Sequence, residues 1–145
     1  MEVKLKFGID QLLFGMKQAD VKKLYGEPDK QFKDDDKNII FVYNQLQLRL
    51  TFYDDEDLRL GYIISSNPRL TINDKVFINE TVEEVKKQLE VNKIKSWEKE
   101  DFDLTENHFN EENWLILQSE FARIIKVEIG AVIKNEEDFD WKFNA

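Results

Sequence analysis

Leu46-Gln47-Leu48-Arg49-Leu50-Thr51-Phe52-Tyr53-Asp54-Asp55-Glu56-Asp57-Leu58-Arg59-Leu60-Gly61-Tyr62-Ile63-Ile64 is the stretch that decides the fold. Leu46, Leu48, Leu50 and Phe52 alternate with Gln47, Arg49, Thr51 and Tyr53, the period-two pattern of a strand with one apolar and one polar face. Asp54-Asp55-Glu56-Asp57 follows as a hairpin loop, and Leu58, Leu60, Tyr62 and Ile64 are expected inward on the return strand. This alternation predicts an antiparallel sheet covered on one side only, with helices on the apolar face and the polar face open.

The flanking sequence supplies those helices. Lys17 to Tyr25 has Val21 and Leu24 on one face, Gly26 as its C-terminal cap and Pro28 to stop it. Further on, Thr81-Val82-Glu83-Glu84 reads as a capping box that starts a helix with Val82, Val85 and Leu89 inward. A second alternating run places Leu115, Leu117 and Phe121 inward, then Ile125, Val127, Ile129 and Ala131. The two sets align at a shift of about 64 to 65 residues: 16–23 falls on 80–87, Leu50 to Phe52 on Leu115 to Leu117, and Leu5 and Phe7 on Leu70 and Ile72. The expected architecture is therefore α+β: a single domain, 1–145, of two tandem helix-plus-antiparallel-strand repeats (about 1–68 and 69–135) and a short acidic C-terminal tail.

The 145 residues are 41% hydrophobic and 35% charged, with five Gly and two Pro, as in an ordinary globular domain. The net charge of −9 argues against nucleic acid or an anionic membrane as partner, because both need a basic face. The absence of Cys excludes a thiol nucleophile, a Cys-ligated metal and a disulfide framework. MEVKLKFGID carries charges at Glu2, Lys4 and Lys6 with no apolar run behind it, so a cytoplasmic location is expected.

No residue set points to catalysis, a cofactor or a metal. His108, the one histidine, is expected on the surface of an acidic loop. Ser65, Ser66, Ser96 and Ser119 lack a nucleophile-elbow context. Asp34-Asp35-Asp36 and Asp54-Asp55-Glu56-Asp57 lack the ligand offsets and Gly of a calcium loop, and read as solvated hairpin loops.

Charge distribution says more. Residues 1–70 carry a net −1 and residues 71–145 a net −8. The densest acid lies in Glu98, Glu100, Asp101, Asp103, Glu106, Glu111 and Glu112, against Lys99 alone, interleaved with Trp97, Phe102, Phe109 and Trp114. Carboxylates around aromatic anchors suit capture of a basic protein: charge steers the encounter and rings supply buried area. The competing account is that the rings close the core and the acids confer solubility. Phe109 fits that account better, while Trp97 and Phe102 fit binding better. Arg49, Tyr53, Trp114, Gln118, Lys126 and Glu128 are expected on the open sheet face. Glu136-Glu137-Asp138-Phe139-Asp140-Trp141 repeats the acidic-aromatic mixture more weakly.

Gly15-Met16, Val21, Leu24, Gly26, Pro28, Tyr43, Leu48-Arg49-Leu50-Thr51-Phe52, Leu60 and Ile63 resemble the small lipoprotein family of the bacterial outer-membrane β-barrel assembly machine, over about residues 14–64. The chain departs from that family in having no lipidated Cys. Two such units in tandem resemble the β-lactamase-inhibitor-protein fold, and small acidic domains of this kind resemble immunity proteins of bacterial toxin systems. The resemblance implies a non-enzymatic inhibitor that occludes the cleft of a basic toxin or enzyme domain. The alternative it implies is an assembly scaffold. Oligomeric state stays open.

Overall fold

Two short segments become helices for local reasons. The structure, a computed structural model, describes residues 1–135 and 138–143. Helix α1 spans Gln18–Tyr25; the Asp20 carboxylate accepts from the Lys17 amide at 3.0 Å, and Gly26 closes the helix at a φ of 80° that glycine adopts freely. Helix α2 spans Val82–Val91, with the Thr81 hydroxyl accepting from the Glu84 amide at 3.4 Å. Val21 of α1 and Val82, Val85 and Leu89 of α2 are buried. Neither helix is long and apolar enough to cross a membrane.

Strands dominate the rest. Short pairs β1 (Val3–Lys4), β2 (Gly8–Ile9) and β3 (Leu12–Leu13) form a three-stranded sheet before α1. After α1 come β4 (Lys30–Lys33), β5 (Ile39–Tyr43), β6 (Leu48–Tyr53) and β7 (Arg59–Ser65). The hairpin β8 (Thr71–Ile72) and β9 (Lys75–Val76) precedes α2. Then follow β10 (Glu98–Phe102), β11 (Thr105–Asn110), β12 (Leu115–Glu120) and β13 (Arg123–Gly130). The large sheet has eight strands in the order β10-β11-β12-β13-β7-β6-β5-β4, and every neighbour in it is antiparallel.

The fold is therefore mostly β, with 43% strand against 15% helix. That overturns the expectation of an α+β protein made of two tandem helix-and-strand repeats. The reason lies in residues that composition marks as polar loop. Lys30–Lys33 and Glu98–Phe102 are exposed along their whole length, yet both pair as edge strands, since a sheet edge requires backbone partners on one side only. The lead-ins before each helix form small sheets of their own instead of joining the large one.

One hydrophobic core spans the molecule. Phe41, Leu50, Phe52, Leu60, Ile63, Leu115, Leu117, Val127 and Ile129 from the large sheet join Val21, Val85 and Leu89 from the helices. Two bulges reset the alternation. The register shifts between Thr51 and Phe52, so Leu60 and Ile63 point inward and Tyr62 and Ile64 outward. A second shift, between Gln118 and Ser119, buries Ile124 and leaves Ile125 37% exposed. Phe121, expected inward, sits in a turn at 80% exposure.

Candidate functional site

Cross-strand partners share a face of the sheet, so register assigns each expected site residue to a side. Glu98 pairs with Phe109 and Glu100 with Asn107. Phe109 pairs with Ile116 and Asn107 with Gln118, and Gln118 pairs with Lys126 and Ile116 with Glu128. Glu128 continues to Ile64, and Ile64 to Arg49. These side chains form the face opposite the helices.

At its β10 end that face is hollowed. A depression of about 450 Å³ is lined by Glu98, Lys99, Glu100, Asn107, Phe109, Trp114 and Ile116. Trp114 reaches it from the turn between β11 and β12, at a φ of 48°. Its ring meets Phe109 edge-on with centroids 5.1 Å apart. It also lies against Gly130, where any Cβ would overlap the indole. Lys99 turns its ammonium to the other side, 3.3 Å from Glu106 and 3.8 Å from Asp101. Among the described residues, Glu98 and Glu100 have no ion-pair partner. The result is two solvated carboxylates above an aromatic and aliphatic floor. Carboxylates beside ring faces are able to attract a cation by charge and by contact with the rings.

The centre of the face is internally satisfied. Tyr62 Oη donates to Glu128 Oε1 at 2.5 Å, Lys126 lies 3.8 Å from Glu128, and Gln118 Nε2 donates to Asn107 Oδ1 at 3.0 Å. Burial, then the bond to Glu128, pushes the Tyr62 hydroxyl far above the ordinary tyrosine range. Arg49 places its guanidinium 5.6 Å from the centre of the Phe32 ring. Tyr53 faces the same side, but the C-terminal segment covers it: Phe139 lies 5.7 Å from its ring and Trp141 4.9 Å from Phe139. Burial followed by the charge of Asp55 pushes Tyr53 up to about 12. Of the acidic-aromatic tail, Glu136 and Glu137 lie outside the described residues.

Other expected residues fall elsewhere. Trp97 packs against the core with Lys86 of α2 5.6 Å from its ring centre, so it serves packing there. Asp101 and Glu106 lie on the helix side, held by Lys99. Phe102 is 46% exposed at the end of β10, and Asp103 occupies the following turn.

His108 is a correction: it is 2% exposed, on β11, with Nε2 3.0 Å from Ser119 Oγ and 3.7 Å from Glu106. Burial first, then the Lys86 charge, holds its pKa below the ordinary value. Its Nδ1 and Trp97 Nε1 are buried without a hydrogen-bond partner among the described residues. Sequence reasoning missed the hollow's contributors Asn107, Phe109 and Ile116. Their common parity with Glu98 and Glu100 across β10, β11 and β12 was the signal, but it was visible only once β10 and β11 were known to be strands.

No protein-family model matches the chain, and no curated protein matches it. Among solved structures, the 1.5 Å crystal structure of an extracellular protein containing a SCP domain, from Bacillus anthracis str. Ames, is similar in fold, with a TM-score of 0.50 and 15% sequence identity. The similarity covers 79% of this chain and 42% of that one, so the chain spans less than half the length of its structural neighbour. At this identity the likeness bears on fold alone.

Proposed function

We propose that this chain is a non-enzymatic binding module that neutralises a basic protein, a toxin or enzyme domain, by covering its cationic cleft. The observation that carries this reading is the pair of carboxylates, Glu98 and Glu100, unbridged among the described residues, over the floor of Phe109, Trp114 and Ile116. Carboxylates at a rim raise the encounter rate with a cationic surface, and a desolvated aromatic floor slows dissociation. A cleft built for a polyanion presents the complementary charge.

The test is titration calorimetry with the product of the adjacent reading frame. That product is expected to be basic and to bind. Affinity is expected to fall as salt shortens the Debye length from about 10 Å at 0.1 M to about 3 Å at 1 M. A product that is neither basic nor bound contradicts the reading.

A further inference from the structure

The large sheet ends in two open edges, and they differ in charge. All four residues of β4 and all five of β10 are exposed. An edge strand presents alternate amides and carbonyls to solvent, a template for one more strand. On β4 the side chains are Lys30, Gln31, Phe32 and Lys33, with no acid. On β10 they are Glu98, Lys99, Glu100, Asp101 and Phe102, three acids against one lysine. The edges therefore select opposite guests, and only the β10 edge adjoins the hollow.

A strand laid along β10 would set alternate side chains about 7 Å apart on the hollow's side. Glu98 and Glu100 have that same spacing, because they are alternate residues of one strand on that side. A guanidinium suits the position better than an ammonium. It is planar, stacks on an indole and accepts two carboxylate contacts at once. Beyond the acids, the strand would run toward Phe102 and Leu104, which are 46% and 69% exposed at the end of β10 and in the β10–β11 turn. This ring and the leucine offer contact area to an apolar residue flanking the basic ones.

We propose that β10 takes an extended, arginine-bearing segment of the basic partner as a ninth strand, with one arginine seated before Glu98, Glu100, Phe109 and Trp114. This rests on the basic-partner reading and adds the manner of capture.

The experiment uses the full chain, isotope-labelled, and two short synthetic peptides of equal charge. One alternates arginine with threonine. The other has proline at each threonine position, which removes the amide donors that a strand needs. The alternating peptide is expected to slow hydrogen exchange at β10 amides and shift the Trp114 indole resonance. The proline peptide is expected to bind at least about tenfold more weakly, and E98Q/E100Q to weaken the alternating peptide by about tenfold. Both substitutions lie on an exposed edge strand, so the variant is expected to fold. Equal binding of the two peptides, or exchange protection at β4, overturns strand addition. If E98Q/E100Q then lowers both affinities, the basic-partner reading survives without it. Failure of both peptides while the adjacent gene product binds through Glu98 and Glu100 also overturns strand addition alone. If that product fails to bind as well, both readings fall.

Discussion

β4 and β10 occupy equivalent places at opposite ends of one sheet, and they differ in charge and in what lies beside them. At the β4 end, Phe32 faces the Arg49 guanidinium at 5.6 Å, and Ile40 beside it is 2% exposed. At the β10 end, Phe109 and Trp114 hold each other edge-on and leave a depression, with Glu98 and Glu100 unbridged among the described residues. Both ends lie over the same core, so their difference is one of surface and not of architecture. A sheet of this kind is stable with either finish, and under the proposed function the β10 end is the one that takes the partner.

The largest expected effect tests the shared core. Leu50→Ala beneath the first finish and Leu117→Ala beneath the second should each cost about 2–5 kcal/mol. Both side chains are fully buried in one cluster. Urea melts followed by fluorescence and by circular dichroism should coincide for both variants. Separate transitions for the two variants would break the comparison at its root.

Next come the two glycines under rings. Trp114 lies on Gly130 and Tyr53 on Gly61. Gly130→Ala and Gly61→Ala should each cost about 1–3 kcal/mol by overpacking, read from the same melts. Gly130→Ala alone should also disturb Trp114 emission and weaken partner binding, because only that ring floors the hollow.

One acid-sensitive group lies at the β10 end, which holds the chain's one histidine. Burial, assisted by Lys86, holds the folded His108 pKa below its ordinary value, while Glu106 and Glu83 oppose that shift. The unfolded chain therefore takes up this proton first. Stability from this group is complete above an unfolded pKa of about 6.5, falls as the pH drops from there to the depressed folded pKa, and is level below it. Urea midpoints across that range should fall for the wild type and stay flatter for His108→Gln. Parallel pH profiles would show that His108 has no such role.

The smallest effect on stability is expected at the edges themselves. E98Q/E100Q and K30Q/K33Q should each leave the unfolding free energy from urea melts within about 0.5 kcal/mol of wild type, since all four side chains are exposed. A larger shift would mean that these charges hold the edges in place.

How much of this was legible depended on whether side-chain pattern or backbone pairing carried the information. Leu48, Leu50 and Phe52 announced their strand, and Thr81 and Gly26 their helix ends, because burial and capping act through side-chain type. Tyr62 and Ile125 were assigned the wrong face because each bulge inserts a residue that alternation cannot register. Glu98–Phe102 was placed in an acidic loop because an edge strand needs no apolar side chain. That error carried His108 to the surface and hid the common face of Glu98, Phe109 and Ile116. Glu98, Glu100 and Trp114 were nevertheless singled out, since acid density and ring placement do not depend on register. Trp97 was not separable from them by composition; its contact with Lys86 of α2 depends on the tertiary fold.

Calorimetric titration of the product of the adjacent reading frame against the wild type, E98K/E100K and K30E/K33E tests the account most directly. Charge reversal at β10 should weaken binding by at least about a hundredfold, while reversal at β4 should leave it unchanged. Equal losses from both reversals, or a loss from the β4 reversal alone, would contradict it.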